Sequence, residues 1–239
     1  MSAPAMRERP SPSHGPRAAG TAIDTLVLHY TGMETADAAL DRLCDAAAEV
    51  SAHYLIDEDG AVWRLVGEDR RAWHAGLAAW RGATDINDRS IGIELVNPGH
   101  EFGYRPFPKL QMSALIELCR DILARHAIPV SRVLGHSDIA PTRKTDPGEL
   151  FDWRRMARAG IGLWPEPGAL PAKIDNAQRD EALRRLGAIG YDTSGQVAPD
   201  SADAQRAAIA AFQRRYRPRL IDGVIDSETG ALIAAVATP

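Results

Sequence analysis

The segment Ile91-Gly-Ile-Glu-Leu-Val96 sets one carboxylate, Glu94, inside a run that is otherwise apolar on both faces of a strand. A strand of that kind belongs in the middle of a covered sheet, because a sheet with one wet face alternates apolar and polar residues. The run Ile23-Asp-Thr-Leu-Val-Leu-His-Tyr30, β-branched, apolar and closed by Thr31-Gly32, reads as a second strand. Ala52 to Asp57 and Ala61 to Val66 flank the turn Asp57-Glu-Asp-Gly60 and read as a short antiparallel pair. Val133-Leu134 is a further short strand. Apolar positions 40, 43, 44 and 47 mark one face of a helix over 35–50. Met112, Leu115, Ile116, Cys119, Ile122 and Leu123 stripe a longer amphipathic helix over 108–127, and 151–159 suits one more. Helices interleaved with hairpin-like strands predict an α/β fold, a mixed β-sheet flanked by helices.

At 239 residues, 45% of them hydrophobic and 25% charged, the chain can bury a sizeable core. A net charge of −4 offers no excess of Lys and Arg to neutralise a phosphate backbone, which argues against a nucleic-acid partner. The apolar stretch Ala231 to Ala237 is far below the roughly 20 residues of a membrane span. Residues 1–20 carry Arg7, Arg9 and Arg17 among Pro, Ser and Gly with no apolar h-region. They read as a disordered leader rather than a signal peptide, which favours the cytoplasm over the periplasm or cell envelope. Cys44 and Cys119 sit at helical spacing among apolar residues and read as reduced core cysteines. Trp164-Pro-Glu-Pro-Gly-Ala-Leu-Pro171 is a stiff linker. The expected division is therefore a main domain over 21–163, a Pro-rich linker over 164–174 and a small module over 175–239, with helices at 176–189, 202–216 and 227–237.

His29 ends an apolar strand, His136 follows Val133-Leu134-Gly135, and Asp146 lies on a proline-bracketed loop. Two His and one Asp form a ligand set for zinc that leaves the fourth position open to water. On spacing alone, hydrogen-bonded structural histidines are the commoner reading. Burial of Glu94 in its strand would raise its pKa and suit it to accept a proton beside a metal, unless the strand is an edge and the carboxylate faces solvent. Lys144, two residues before Asp146, is placed to stabilise an oxyanion, or is a surface lysine.

Five ordered blocks add a resemblance: Leu26-Val-Leu-His29, Ser51-Ala-His-Tyr-Leu-Ile56, Arg71-Ala-Trp-His-Ala-Gly76, Asn87-Asp-Arg-Ser-Ile-Gly-Ile-Glu94 and Gly135-His-Ser-Asp-Ile-Ala-Pro-Thr-Arg-Lys-Thr-Asp-Pro-Gly148. Through them residues 23 to about 154 resemble the zinc-dependent N-acetylmuramoyl-L-alanine amidases of the type 2 class. The resemblance implies a peptidoglycan-recognition-protein-like fold and hydrolysis of the amide between N-acetylmuramic acid, or its 1,6-anhydro form, and L-alanine in peptidoglycan fragments. It implies Zn2+ on His29, His136 and Asp146, Glu94 as catalytic acid/base and Lys144 as transition-state stabiliser. It places His74 and Ala75 along the substrate groove. Trp80 and Arg81 fall in a loop of AmiD-type members, where an exposed indole would stack on a sugar and the arginine would grip peptide carboxylates. His53 reads as a structural histidine near the site, and Trp73 as a core residue. Ala208-Ile-Ala-Ala-Phe-Gln213 and the segment Ile221 to Thr229 resemble a three-helix peptidoglycan-binding domain, with a stabilising helical appendage as the other reading. A non-catalytic peptidoglycan-recognition protein is the rival function. A zincin-type peptidase is disfavoured, because His100-Glu-Phe-Gly-Tyr104 lacks the second histidine of a His-Glu-x-x-His helix.

Overall fold

The computed structural model describes residues 6–166, 168, 173–197 and 201–237. The strands are β1 (Arg7–Glu8), β2 (His14–Pro16), β3 (Thr25–Tyr30), β4 (Tyr54–Ile56), β5 (Val62–Arg64), β6 (Arg70–Ala72), β7 (Ser90–Leu95) and β8 (Val133–Gly135). The helices are α1 (Ala36–Leu43), α2 (Ile86–Arg89), α3 (Gly99–Phe102), α4 (Lys109–Arg125), α5 (His136–Ile139), α6 (Trp153–Arg158), α7 (Asn176–Ile189), α8 (Ser201–Tyr216) and α9 (Ser227–Ala237). Six strands form one sheet in the order β1-β5-β4-β7-β3-β8, and β2 pairs with β6 separately. Only the β4–β5 pair of the large sheet is antiparallel, so the sheet is mixed, as the sequence predicts.

Side-chain alternation along β3 and β7 divides the molecule. Leu26, Leu28, Ile91, Ile93 and Leu95 face α4, which covers them with Met112, Leu115, Cys119 and Ile122. Each such aliphatic side chain, fully buried, contributes about 1.5–3 kcal/mol. The opposite face carries Val27 and Gly92 in one register pair and His29 and Glu94 in the next. Cys119 is fully buried on the α4 side and Cys44 half-buried; both are free thiols, and burial pushes both up, away from the reactive thiolate.

The expectation of a disordered leader over 1–20 is corrected for residues 6–20; residues 1–5 lie outside the described residues. β1 adds to the edge of the sheet beside β5, and β2 pairs with β6. Ser11 Oγ donates to the Leu43 carbonyl at 2.5 Å, and Ser51 Oγ to the Ser13 carbonyl at 2.5 Å. Arg17 donates through Nε to the Glu68 carbonyl at 2.9 Å, through Nη1 to those of Asn87 at 3.1 Å and Asp88 at 2.6 Å, and through Nη2 to that of Ser90 at 2.9 Å. Polar anchoring holds this segment, so a reading keyed to apolar periodicity passes over it.

The C-terminal helices form where the sequence predicts, but they share a core with the rest of the chain. One apolar cluster runs from Val27 and Leu134 of the sheet through Ile139 and Ala140 to Leu186, Phe212 and Ile233. Of the expected linker, residues 167 and 169–172 lie outside the described residues.

A half-buried acid, Glu68, makes stability depend on pH. Burial alone would raise the Glu68 carboxyl, but bonds from Arg125, His126 and Tyr54 hold it down to about 2 against a reference of 4.5. A folded-state pKa below the unfolded one gives stability that is present above pH 4.5 and is lost as the pH falls towards 2. Glu68→Gln is expected to cost about 1–2 kcal/mol of unfolding free energy at pH 6, after allowance for solvent screening of the half-exposed Arg125, and progressively less below pH 4 in urea titrations. An equal deficit at both pH values would contradict this account.

Candidate active site

Three loops and strands converge at the C-terminal ends of β3, β7 and β8. β3 presents His29, and the parallel register sets Glu94 of β7 beside it. Leu28 pairs with Gly135 on the other side, so His136, the first residue of α5, follows level with His29. Asp146 returns on the loop beyond α5, whose Ser137 N–H donates to the Asp146 carbonyl at 2.8 Å. Gly135 makes room for that return, since a Cβ there would stand 2.7 Å from Cδ of Pro147.

The three side chains are all buried. His29 Nδ1 lies 3.0 Å from His136 Nδ1 and 3.2 Å from Asp146 Oδ2, and His136 Nδ1 lies 3.0 Å from that same oxygen. Three donors placed about 2.0–2.1 Å from a common tetrahedral centre would stand roughly 3.3 Å apart, so the spacing fits zinc. The proton arrangement fits as well. His136 Nε2 sits 3.1 Å from the Ala75 carbonyl, which only accepts, so Nε2 donates to it and Nδ1 is the nitrogen turned towards the carboxylate oxygen. Burial pushes His29 down to about 4, and the neighbouring His136 adds to this. Burial by itself would raise Asp146, but His136 and His29 hold it well below the usual carboxylate range. Two imidazole nitrogens and an ionised oxygen gathered at one point are the donor set of a cation site.

Glu94 is half-buried, and its Oε2 is buried without a hydrogen-bond partner among the described residues. Burial, and after it Asp146, pushes this carboxyl up to about 8, with Lys144 opposing the rise. Glu94 and Lys144 line, together with His29, His136, Asp146, Tyr30, Trp73 and Arg143, a cavity of about 370 Å³. A raised carboxyl, a lysine and the His-His-Asp cluster thus open on one space.

The five residues read as metal ligands and catalytic groups are brought together here. His74 lines the cavity wall behind His29, with Nδ1 3.0 Å from His29 Nε2. Ala75 is buried, and it is its carbonyl that takes part, as the acceptor for His136. The expectation for Trp80 and Arg81 is corrected. Trp80 is only 4% exposed; its ring packs on Tyr191 at 5.0 Å between centroids and lies where any Cβ on Gly190 would fall, 2.5 Å away. Arg81 donates through Nε to the Ile189 carbonyl at 2.9 Å and through its backbone N–H to that of Gly190. Neither lines the cavity of His29: residues more than a hundred positions downstream cover Trp80 and tether the exposed Arg81. The cavity is lined instead by Tyr30 and by Trp73, read from the sequence as core.

His53 is a structural histidine, as expected: fully buried, its Nδ1 accepts from the Gly92 N–H at 3.0 Å. Sequence reasoning gave no role to Arg143, whose guanidinium donates to the Ala75 and Leu77 carbonyls, both at 3.0 Å. The signal was its place inside the block from Gly135 to Gly148.

Comparison with known proteins agrees with this geometry. The family profile described as N-acetylmuramoyl-L-alanine amidase matches residues 19–149. The chain is 42% identical over 241 residues to the N-acetylmuramoyl-L-alanine amidase AmiD of Escherichia coli (strain K12), covering 92% of this chain and 84% of that protein. It is 42% identical over 107 residues to the 1,6-anhydro-N-acetylmuramyl-L-alanine amidase AmpD of Enterobacter cloacae, over 45% of this chain and 55% of that one. Among solved structures, E. coli AmiD with the substrate anhydro-N-acetylmuramic acid-L-Ala-D-gamma-Glu-L-Lys superposes with a TM-score of 0.78 at 40% identity, over 92% of this chain and 91% of that one. AMPDH3 from Pseudomonas aeruginosa in complex with anhydromuramic pentapeptide gives 0.73 at 32% identity, over 91% and 93%.

Proposed function

Because the chain belongs to the N-acetylmuramoyl-L-alanine amidase family, we propose that it cuts muropeptides at a zinc centre held by His29, His136 and Asp146, with Glu94 as acid/base and Lys144 as oxyanion stabiliser. The protein is an N-acetylmuramoyl-L-alanine amidase acting on peptidoglycan fragments, in cell-wall turnover. The observation that supports the zinc reading is the set of three buried donors 3.0–3.2 Å apart beside a carboxylate whose Oε2 has no other partner.

Zinc, when bound, supplies Lewis acidity to the scissile carbonyl and to the attacking water. The protein supplies the proton traffic. Glu94 Oε2 takes a proton from the water as its oxygen bonds to the carbonyl carbon, and returns that proton to the alanine nitrogen as the C–N bond breaks. The Lys144 ammonium, on the same cavity wall, faces the negative charge that develops on the carbonyl oxygen. His29 and His136 offer neutral nitrogens and Asp146 one negative charge, a set that leaves a dication electrophilic. Trp73 gives the groove an aromatic wall against which a pyranose face can pack.

No helix among the described residues is long and apolar enough to cross a membrane. The substrates we propose are fragments with either intact or 1,6-anhydro muramic acid.

Incubation with a defined anhydro-muropeptide, followed by mass spectrometry, is expected to give free anhydro-N-acetylmuramic acid and a stem peptide with a new L-alanine N-terminus. Dialysis against a chelator should stop the reaction and added zinc should restore it. Full turnover by metal-free protein would refute the zinc centre, and uncut substrate with zinc-loaded protein would refute the activity.

A further inference from the structure

The two histidines of the triad are held from behind by adjacent residues. His29 Nε2 lies 3.0 Å from His74 Nδ1, and His136 Nε2 lies 3.1 Å from the carbonyl of Ala75. The protons in this chain can be assigned from its far end. The Ile86 carbonyl only accepts, so Ser90 Oγ, 2.6 Å away, gives it its proton. Ser90 Oγ must then accept from His74 Nε2–H at 3.1 Å, which leaves His74 Nδ1 bare to accept from His29 Nε2–H. Both triad imidazoles therefore carry a proton on the outer nitrogen and turn Nδ1 inwards.

One side chain fixes the segment that does this. The buried Asn87 accepts through Oδ1 from the backbone N–H of His74 at 3.1 Å and from that of Ala75 at 2.8 Å. Two donors on one oxygen set the orientation of the amide as well as the position of the segment. From the other side Arg143 Nη2 donates to the Ala75 carbonyl at 3.0 Å. Beneath, a Cβ on Gly92 would reach to 2.5 Å of the His74 ring, so the ring lies flush on β7. Asn87 is itself anchored, its carbonyl accepting from Arg17 Nη1.

We infer that Asn87 is a positioning residue for both histidine ligands: its single amide oxygen fixes the backbone of His74 and Ala75, and so the two acceptors that stand behind His29 and His136, without touching metal or substrate. The inference rests on the reading of His29, His136 and Asp146 as the metal ligands. Removing an outer partner of a ligating histidine typically weakens metal binding about 10–100-fold, and here one residue stands behind two of them.

The test is the zinc dissociation constant of the full chain, measured by competition with a chromophoric chelator, for wild type, Asn87→Leu and Asn87→Asp. The leucine variant keeps the volume and removes the acceptor; the aspartate variant keeps an oxygen able to take both N–H groups. We expect Asn87→Leu to bind zinc about 10–100-fold more weakly and Asn87→Asp to stay within about threefold of wild type. A folded Asn87→Leu that binds as tightly as wild type, or an Asn87→Asp that loses as much as the leucine variant, would overturn the inference. A wild type that binds no zinc would overturn the ligand assignment and this inference with it. If Asn87→Leu does not fold, nitrogen NMR of the zinc-loaded wild type decides: both rings must be protonated at Nε2 and coordinated through Nδ1, and the reverse tautomer of either ring refutes the assignment.

Discussion

Glu94→Gln is expected to keep one zinc ion per chain and to lose about 10²–10⁴-fold in kcat on a defined muropeptide, with KM little changed. The reason lies in the strand that carries it. β7 is paired on both sides, with β3 and with β4, so the residue has no route to bulk solvent except through the cavity. Its register partner across β3 is His29, which sets the carboxylate beside the triad. The glutamine is nearly isosteric and can still accept a hydrogen bond from water, but it cannot take the proton. Binding should survive while the chemical step does not, which is the pattern of an interaction used only in the transition state. The acidic limb of the wild-type kcat/KM profile should lie above the ordinary glutamate value of about 4.3, because burial raises this group. It should lie below about 8, because a bound dication nearby lowers it. The limb should be missing from the residual activity of the variant. A glutamine variant within tenfold of wild-type kcat would remove Glu94 from the mechanism.

The largest expected loss of stability belongs to Arg215→Leu. Arg215 is 4% exposed; its Nη1 donates to Asp138 Oδ2 at 2.7 Å and to the Val133 carbonyl at 3.1 Å, and its guanidinium stacks over Trp153 at 3.8 Å. Asp138, 1% exposed, also accepts from the Gly135 N–H at 2.8 Å and from the Tyr191 hydroxyl at 2.6 Å. Leucine fills the space but leaves a buried carboxylate without its counter-charge, a change that typically costs about 3–5 kcal/mol. Adding Asp138→Asn should recover part of the loss, since the amide can still accept from Gly135 without a charge to neutralise. Urea unfolding of the two variants measures both values. A single-variant loss below about 1 kcal/mol would show that the pair is not as dry as its burial implies.

What the sequence made legible is what repeats or what is local. The continuous apolar runs of β3 and β7 and the stripe along α4 identify the core and the central strands. The triad, Glu94 and Lys144 stand out because their blocks carry an unusual density of chemistry for their length. Contacts between distant segments were not legible. Trp80 looks like a free sugar platform until Tyr191 and Gly190 are seen to cover it. β6, Arg70-Arg-Ala72, has no apolar alternation and exists because β2 pairs with it from some 55 positions upstream. Arg17 reads as one cation in a polar leader, and only the fold shows the four carbonyls converging on it. Asn87 opens the segment Asn87 to Glu94 with nothing to mark it, because its contacts are made by one oxygen on two backbone groups.

The trio of Asp138, Tyr191 and Arg215 limits how this chain can be cut or recombined. Severing it at the proline-rich stretch would maroon an acid in an oily pocket, so a shortened version needs that acid silenced by a compensating substitution. Tail exchange between homologues would have to transfer all three positions as a single cassette, and a graft chosen by helix boundaries alone would inherit the fault line rather than the joint.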